Sequence, residues 1–276
     1  GHTTAELNGT ISDSVSVTVQ AIAENVADAR AFIASVSIGG VSGGFADAEI
    51  TSSADVKATA SSNASITSSG VVMFDAHLKG DKNKAFAKAE GFSGGIIASG
   101  SFMGSSAKIG GAVEASMDGD ILDASLVKIL ATGRNDAKAD TLVASIGTFS
   151  GVGAGSLAEI SGDADVVASV GSAGSIKASG QILVVATSDN DSVASSEAGT
   201  GGLVSFGVTL PKSEIAGETR ARFDGDVTGG TSMEVKADAN NFAKSKAKVL
   251  SIGVVSASGG AAEAKLSDSA DTKAIV

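Results

Sequence analysis

Between Glu234 and Val249 the chain reads EVKADANNFAKSKAKV, and small and polar residues alternate almost one for one. The odd positions hold Val235, Ala237, Ala239, Ala243, Ser245, Ala247 and Val249, broken only by Asn241. The even positions are polar or charged, broken only by Phe242. Alanine, lysine and glutamate favour helix by propensity, but a helix would scatter these lysines around its whole surface. A period of two is the alternation of a strand with one buried face. Sixteen residues exceed the usual strand of about 5–6. Asn240-Asn241 supplies a corner, because asparagine tolerates left-handed backbone and bonds its own main chain. The pattern therefore predicts two short strands around a bend, alanines inward and lysines outward.

Similar alternation recurs, for example in SVSVTVQAIAE (14–24) and ADVKATA (54–60), separated by clusters of Gly, Asn, Asp and Ser. Such clusters are turn chemistry, and no segment sustains a helical period. Five segments also end alike: FADAEI, SSAKI, SLAEI, PKSEI and AEAKL close at Ile50, Ile109, Ile160, Ile215 and Leu266. TTAEL, closing at Leu7, reads as a truncated sixth. Upstream of each ending, passages that lead into alternating alanines start at Val19, Phe74, Ile129, Val185 and Val235, at a nearly constant distance. The triplet Ser-Ile-Gly returns at Ser37, Ser145 and Ser251.

Repeats of this length mean solenoids, propellers or arrays. Composition decides among them. The 276 residues include 36 Gly and 10 Phe but no Trp, Tyr or Cys, so the core must be thin, with backbones close together. Propeller blades need bulky fillers, whereas a narrow stack of coils does not. The expected fold is all-β, a parallel β-solenoid of about five repeats of 50–59 residues over the whole chain. Because a solenoid coil ordinarily takes ~20–30 residues, two coils per repeat are expected. About eleven coils spaced ~4.8 Å would give a rod of roughly 50 Å.

The net charge of −11, without a basic stripe carrying interleaved aromatics, excludes a nucleic-acid binder. No apolar run approaches the ~20 residues of a membrane-spanning helix, and the start carries no signal-peptide pattern. No membrane insertion is expected. Gly1-His2 reads as a cloning remnant, and the chain as an excised piece of a longer protein. The absence of cysteine excludes disulfides and thiolate metal sites, and fits export in an unfolded state.

Candidate chemistry is sparse. Asp118-Gly119-Asp120 and Asp224-Gly225-Asp226 each follow a repeat ending, Ile109 or Ile215, by nine residues to the first Asp. Asp118, Asp120, Asp224 and Asp226 are the candidate calcium ligands, since calcium takes 6–8 oxygens. The competing reading is a turn held by Asp side chains, with Gly free to adopt positive φ. SDND (188–191) and GDAD (162–165) are weaker candidates of the same kind. Apart from His2, His77 is the only histidine, so imidazole catalysis has little material. Arg220 and Arg222 alternate on one face ahead of Asp224 and Asp226, the pattern of a solvated, ion-paired strand. The glycine-rich runs GVGAGS and IGGVSGG lack the Gly-Lys-Ser/Thr of a phosphate loop. The basic run KGDKNKAFAKAE (79–90) is either a solvated insertion or a contact for an anionic partner. Phe74, Phe86, Phe92 and Phe102 either thicken the core or form an exposed patch for self-association.

Gly-Gly pairs, Ala-x-Ala-x-(Ile/Leu) endings and Val-x-Ala turns closed by Asn or Asp, in a repeat near fifty residues, resemble the repeat regions of secreted bacterial exoproteins. These are the filamentous-haemagglutinin-like and leukotoxin-like adhesins, many exported by two-partner secretion. The resemblance spans nearly the whole chain, although no secretion-domain signature accompanies it. It implies a right-handed β-helix, export through the outer membrane to a secreted or cell-surface location, and a rod that serves adhesion or displays a distant tip. A non-enzymatic structural module is the leading expectation. Its partners would be further copies joined end to end through unpaired strand edges, and a host or neighbouring cell surface or glycan. A calcium- or glycan-binding module at the Asp-Gly-Asp turns is the second reading. A carbohydrate-active β-helix enzyme built on carboxylates and Arg220 is the third.

Overall fold

The computed structural model describes residues 1–276, apart from the side chains of Asp81 and Lys82. It contains strands and turns, with no helix among the described residues. Every strand pair is parallel, and neighbours in a ladder lie one repeat apart. The short strands Thr3–Leu7, Val56–Ala60, Val113–Met117, Val166–Val170, Thr219–Phe223 and Thr272–Ile275 stack in that order as one sheet. Thr10–Ser14, Ser65–Ser68, Asp120–Asp123, Ser175–Ala178 and Asp226–Gly229 stack as a second. The third sheet holds the long runs. Val17–Ile50 and Val71–Ile109 travel out, round a tip and back as single strands of 34 and 39 residues. Later turns divide at the tip, as in Leu126–Ile146 followed by Phe149–Ile160 and Gln181–Gly201 followed by Val204–Ile215.

The repeat endings stack directly: Ile50 on Ile109, Ile109 on Ile160, Ile160 on Ile215, and Ile215 on Leu266. Each repeat is therefore one wide turn, and the expectation of two narrow coils per repeat is corrected. The axial length falls to about half of that expected, since six stacked strands at ~4.8 Å span roughly 24 Å. The reason lies in the strand lengths. The outgoing and returning runs are far longer than an ordinary strand, so one circuit consumes the whole repeat.

The width is filled by two cores. In the first, the two short strands and the start of the outgoing run enclose Val, Ile and larger side chains, including Phe74, Ile66, Met117 and Ile129. In the second, the rest of the outgoing run faces the return run across a thin interior of Ala and Ser, with Ile109 and Met103 among its few larger residues. The two runs approach closely enough for side chains to reach the opposite backbone. Ser192 Oγ donates to the carbonyl of Ala158 at 2.9 Å, and Thr141 Oγ1 to that of Gly155 at 2.7 Å. Alanine inside and few aromatics follow from this spacing. A Cβ at Gly207 would lie 2.7 Å from Val249 Cγ1.

At the boundary between the cores stands a column of asparagines, one per turn. Asn25 Nδ2 donates to Asn83 Oδ1 at 2.9 Å, and Asn83 to Asn135 at 3.0 Å. Asn135 donates to Asn190 and Asn190 to Asn241, both at 2.8 Å. The predicted corner at Asn240-Asn241 is thereby corrected. Ser232–Ile252 is one strand of 21 residues. Val235 and Ala237 pack on the first core, Ala243 and Val249 on the second, and Asn241 turns inward between them. A ladder of amides satisfies each carboxamide along the stacking axis, and here it overrides the local turn preference of asparagine.

Only the start of the basic run is an insertion; from Asn83 to Glu90 it is ordinary strand in register with Asn135 to Leu142. His77 faces Thr132 but Asn83 faces Asn135, six steps against three, so three extra residues bulge out at the asparagine column while the register resumes beyond it. Stacked turns close the circuit elsewhere. In Thr51–Ala54 and Ser161–Ala164 the fourth amide donates to the first carbonyl, at 3.0 and 3.1 Å. The intervening turn is shorter, and its Gly111 adopts φ +93°, with the Ala112 amide donating to Asp55 Oδ1 at 2.9 Å.

Candidate functional site

The Asp-Gly-Asp turns join the first short sheet to the second. Asp118, Asp120, Asp224 and Asp226 are all exposed. Their amides continue the stack: Asp118 donates to the Ala60 carbonyl at 3.0 Å and Asp224 to that of Val170 at 2.9 Å. Met117 pairs with Val170 and Val170 with Phe223, so the two turns lie two layers apart, about 9.6 Å. The layer between them carries Gly171 and Ser175, without a carboxylate. The carboxylates of the two turns are not brought together, and Asp224 pairs with Arg222. Among the described residues no group of three His, Asp or Glu side chains could hold a metal ion.

Arg220 pairs with Glu218 at 3.3 Å, which splits the predicted Arg220–Arg222 cluster into two separate surface pairs. His77 also lies on an outer face. Its Nδ1 is 3.1 Å from Asp75 Oδ2, an oxygen that Gln20 Nε2 also reaches at 2.8 Å. The four phenylalanines of the second repeat divide. Phe74 is core; Phe86 lies outside under Arg30 and Lys138, at 5.4 and 5.7 Å from its ring centre; Phe92 and Phe102 are exposed.

Charges on the outer faces form ladders of opposite sign. Lys88–Glu90 (2.9 Å), Lys138–Asp140 (3.2 Å) and Lys212–Glu214 (2.8 Å) pair along a strand. Arg134–Asp189 (2.9 Å) and Lys265–Glu214 (3.2 Å) pair between turns. The hydrogen bond from Lys212 holds the Glu214 carboxyl below the usual glutamate range, and that from Lys246 does the same for Glu197. Asp165 moves the other way, because half-burial disfavours its charge. A groove of about 270 Å³ brings Glu90, Asp140 and Glu197 together on one outer face, each beside a lysine.

The feature that stands out is apolar. On the return run Ile50, Ile109, Ile160 and Ile215 point inward, so residues an odd number of positions before them point out. Phe45, Phe102, Phe149, Phe206 and Leu210 all obey this rule and are 53–63% exposed. Around them lie Val41 and Val208 and a field of glycines. Phe45 covers Gly104, where an added Cβ would come within 2.6 Å of its ring, and Phe102 covers Gly153 at 2.7 Å. An apolar groove of about 370 Å³ runs between, floored by Gly104, Gly153 and Gly155 and walled by Phe102, Val208 and Leu210. Of these residues, only Phe102 stands out by composition. The others were marked by the parity of the repeat endings, which separates outward from inward phenylalanine once the inward residue is known.

No protein-family model, curated protein or solved structure matches the chain.

Proposed function

We propose that this chain is a non-enzymatic structural element, a stiff rod segment of a large extracellular or cell-surface repeat protein that acts as an adhesin shaft or matrix filament. The observation that carries this reading is the parallel pairing of each turn with the next, shifted in register only locally, as between His77 and Asn83, and pinned at its centre by the asparagine column. Force along the axis would have to part hydrogen-bonded layers one after another, and repeat arrays have nearest-neighbour energetics. Several outer carboxylates pair with neighbouring lysines, and the excess of negative charge keeps the charged outer faces solvated, which fits a shaft. The resemblance to filamentous-haemagglutinin-like repeats supports the extracellular setting and a right-handed coil.

Single-molecule extension between the two chain ends tests the reading. A shaft of this design yields in steps of one turn, each releasing 51–59 residues, or about 180 Å of contour length at ~3.4 Å per residue. Extension in a single featureless event at negligible force would contradict a load-bearing role.

A further inference from the structure

Towards the tip, the second core turns its polarity inside out. Nearer the asparagine column the order is ordinary, with Ala85 and Ala87 inside and Lys88 and Lys138 outside. Beyond the outgoing-run row of Glu90, Glu197 and Lys248, and short of the return-run row of Asp47 and Lys212, no charged residue occurs in any turn. Every outward strand position there is Gly, Ala, Val, Ile, Leu or Phe, with Ser37 and Thr148 the exceptions at the bend itself. The hydroxyls turn inward instead. Ser42 bonds Ser101 at 2.9 Å, and Ser145 bonds Ser93 at 2.9 Å and Ser99 at 2.6 Å. A sheet with one face in water shows the reverse, apolar in and polar out. At the tip each turn lifts a large aliphatic clear of the surface: Val36, Ile96, Ile146, Leu203 and Val254 are 57–91% exposed.

Shape and charge indicate what covers this surface. The outgoing and return runs lie back to back, so their apolar outer faces point in opposite directions and meet at the tip. A flat protein partner covers one such face, whereas a fluid apolar layer closes around both and the edge between them. From Glu90 to Ile96 the chain advances six residues, about 20 Å at ~3.4 Å each. One leaflet of a bilayer, acyl and headgroup layers together, is about 20–22 Å thick. A wedge buried to that depth leaves its charged rim among the headgroups. On the rim the signs are paired: Lys88 with Glu90, Lys246 with Glu197 and Lys212 with Glu214, at 2.9, 3.1 and 2.8 Å. A paired rim complements headgroups that carry phosphate and ammonium together, while a net charge of −11 disfavours anionic lipid. Backbone pairing continues through the tip, where the Gly202 amide donates to the Ile252 carbonyl at 3.0 Å, as an apolar medium requires.

We propose that the tip of the second core is a membrane-binding wedge that enters one leaflet of a zwitterionic, phosphatidylcholine-type bilayer. This departs from the expectation of no insertion, which weighed only apolar runs long enough to span. The wedge does not cross the bilayer, so the lack of a membrane-crossing helix among the described residues does not bear on it. The inference needs only the fold and is independent of the adhesive role.

Flotation of the intact chain with neutral phosphatidylcholine vesicles tests it. The wild type is expected to float with the lipid. Ile146→Asp places a carboxylate at the tip of the middle turn, and it should lower vesicle binding about tenfold or more. Val26→Asp adds the same charge at an exposed position beside the asparagine column, outside the wedge, and should leave binding unchanged. A polarity-sensitive fluorophore gives a second reading on uncharged variants. Attached at Ile146→Cys it should shift to the blue when vesicles are added, and attached at Thr132→Cys it should not. A wild type that stays unbound overturns the proposal, as does vesicle binding indifferent to Ile146→Asp or equal blue shifts at both labels. A wild type that ignores vesicles but sediments as an oligomer overturns it too, and assigns the wedge to a second copy.

Discussion

Replacing Asn135 tests the column at its centre. Its side chain is 2% exposed, donates to Asn190 at 2.8 Å and accepts from Asn83 at 3.0 Å. Asn135→Ala removes two hydrogen bonds, strands the Asn83 amide and the Asn190 carbonyl, and leaves a small void. Each stranded buried group costs about 1–3 kcal/mol, so the variant should lose roughly 3–5 kcal/mol. Asn25→Ala, at the half-exposed end of the column, breaks one bond and strands only the Asn83 side-chain carbonyl. It should cost about half as much or less. Replacing all five asparagines by valine strands nothing, so its total cost should fall well below five times that of Asn135→Ala. Urea denaturation followed by circular dichroism gives the comparison. A five-fold variant whose cost equals the sum of five central substitutions would refute the cooperative reading of the column.

Two interior hydroxyls should behave oppositely. Ser156 Oγ contacts Thr141 Oγ1, Ser196 Oγ and the Ser195 carbonyl at 3.1, 2.8 and 2.6 Å, whereas the buried Ser205 hydroxyl has no partner. Ser205→Ala should therefore be neutral or stabilising and Ser156→Ala should cost about 1–3 kcal/mol in the same denaturation assay. Gly111→Ala places a side chain at φ +93° and a Cβ 2.7 Å from the Ala54 carbonyl oxygen, so it should cost about 1–3 kcal/mol and lower the melting temperature by several degrees. Glu214 titrates below the ordinary 4.5 in the folded chain. Its stabilisation is complete above that value and fades as pH falls through the depressed one. Thermal melts from pH 6 to pH 3 should accordingly show a smaller fall for Glu214→Gln than for wild type.

Much of this fold was legible before the structure. Parity around Ala237 and Ala243 gave the buried face of a strand. The repeat endings gave the true register, since Ile50, Ile109, Ile160 and Ile215 are stacked partners. The width of the coil was not legible, because the Gly-rich tips at 38–40, 147–151 and 201–202 look like any turn. Nothing local says that a strand of 21 residues precedes one of them. Asn241 misled for a related reason: its turn propensity is local, while the amides that overrule it sit 51 or more residues away. Asn25, Asn83, Asn135 and Asn190 recur in step with the repeats, a signal that only alignment of one turn upon the next makes visible. The outward phenylalanines lay hidden among glycines in the same way. For the acidic turns, spacing placed Asp118 and Asp224 at equivalent positions but could not show the Gly171 layer between them.

The central claim is that one repeat makes one turn, and a disulfide can report it directly because the chain has no cysteine. Thr132 and Thr187 are partners in adjacent strands on the outer face, and Asp238 follows Thr187 one turn further on. With one turn per repeat, Thr132→Cys and Thr187→Cys lie ~4.8 Å apart and should oxidise to an intramolecular bond. Thr132→Cys with Asp238→Cys, about 9.6 Å apart, should not. Failure of the first pair to close in a folded chain would contradict the wide single turn and return the fold to two narrow coils per repeat.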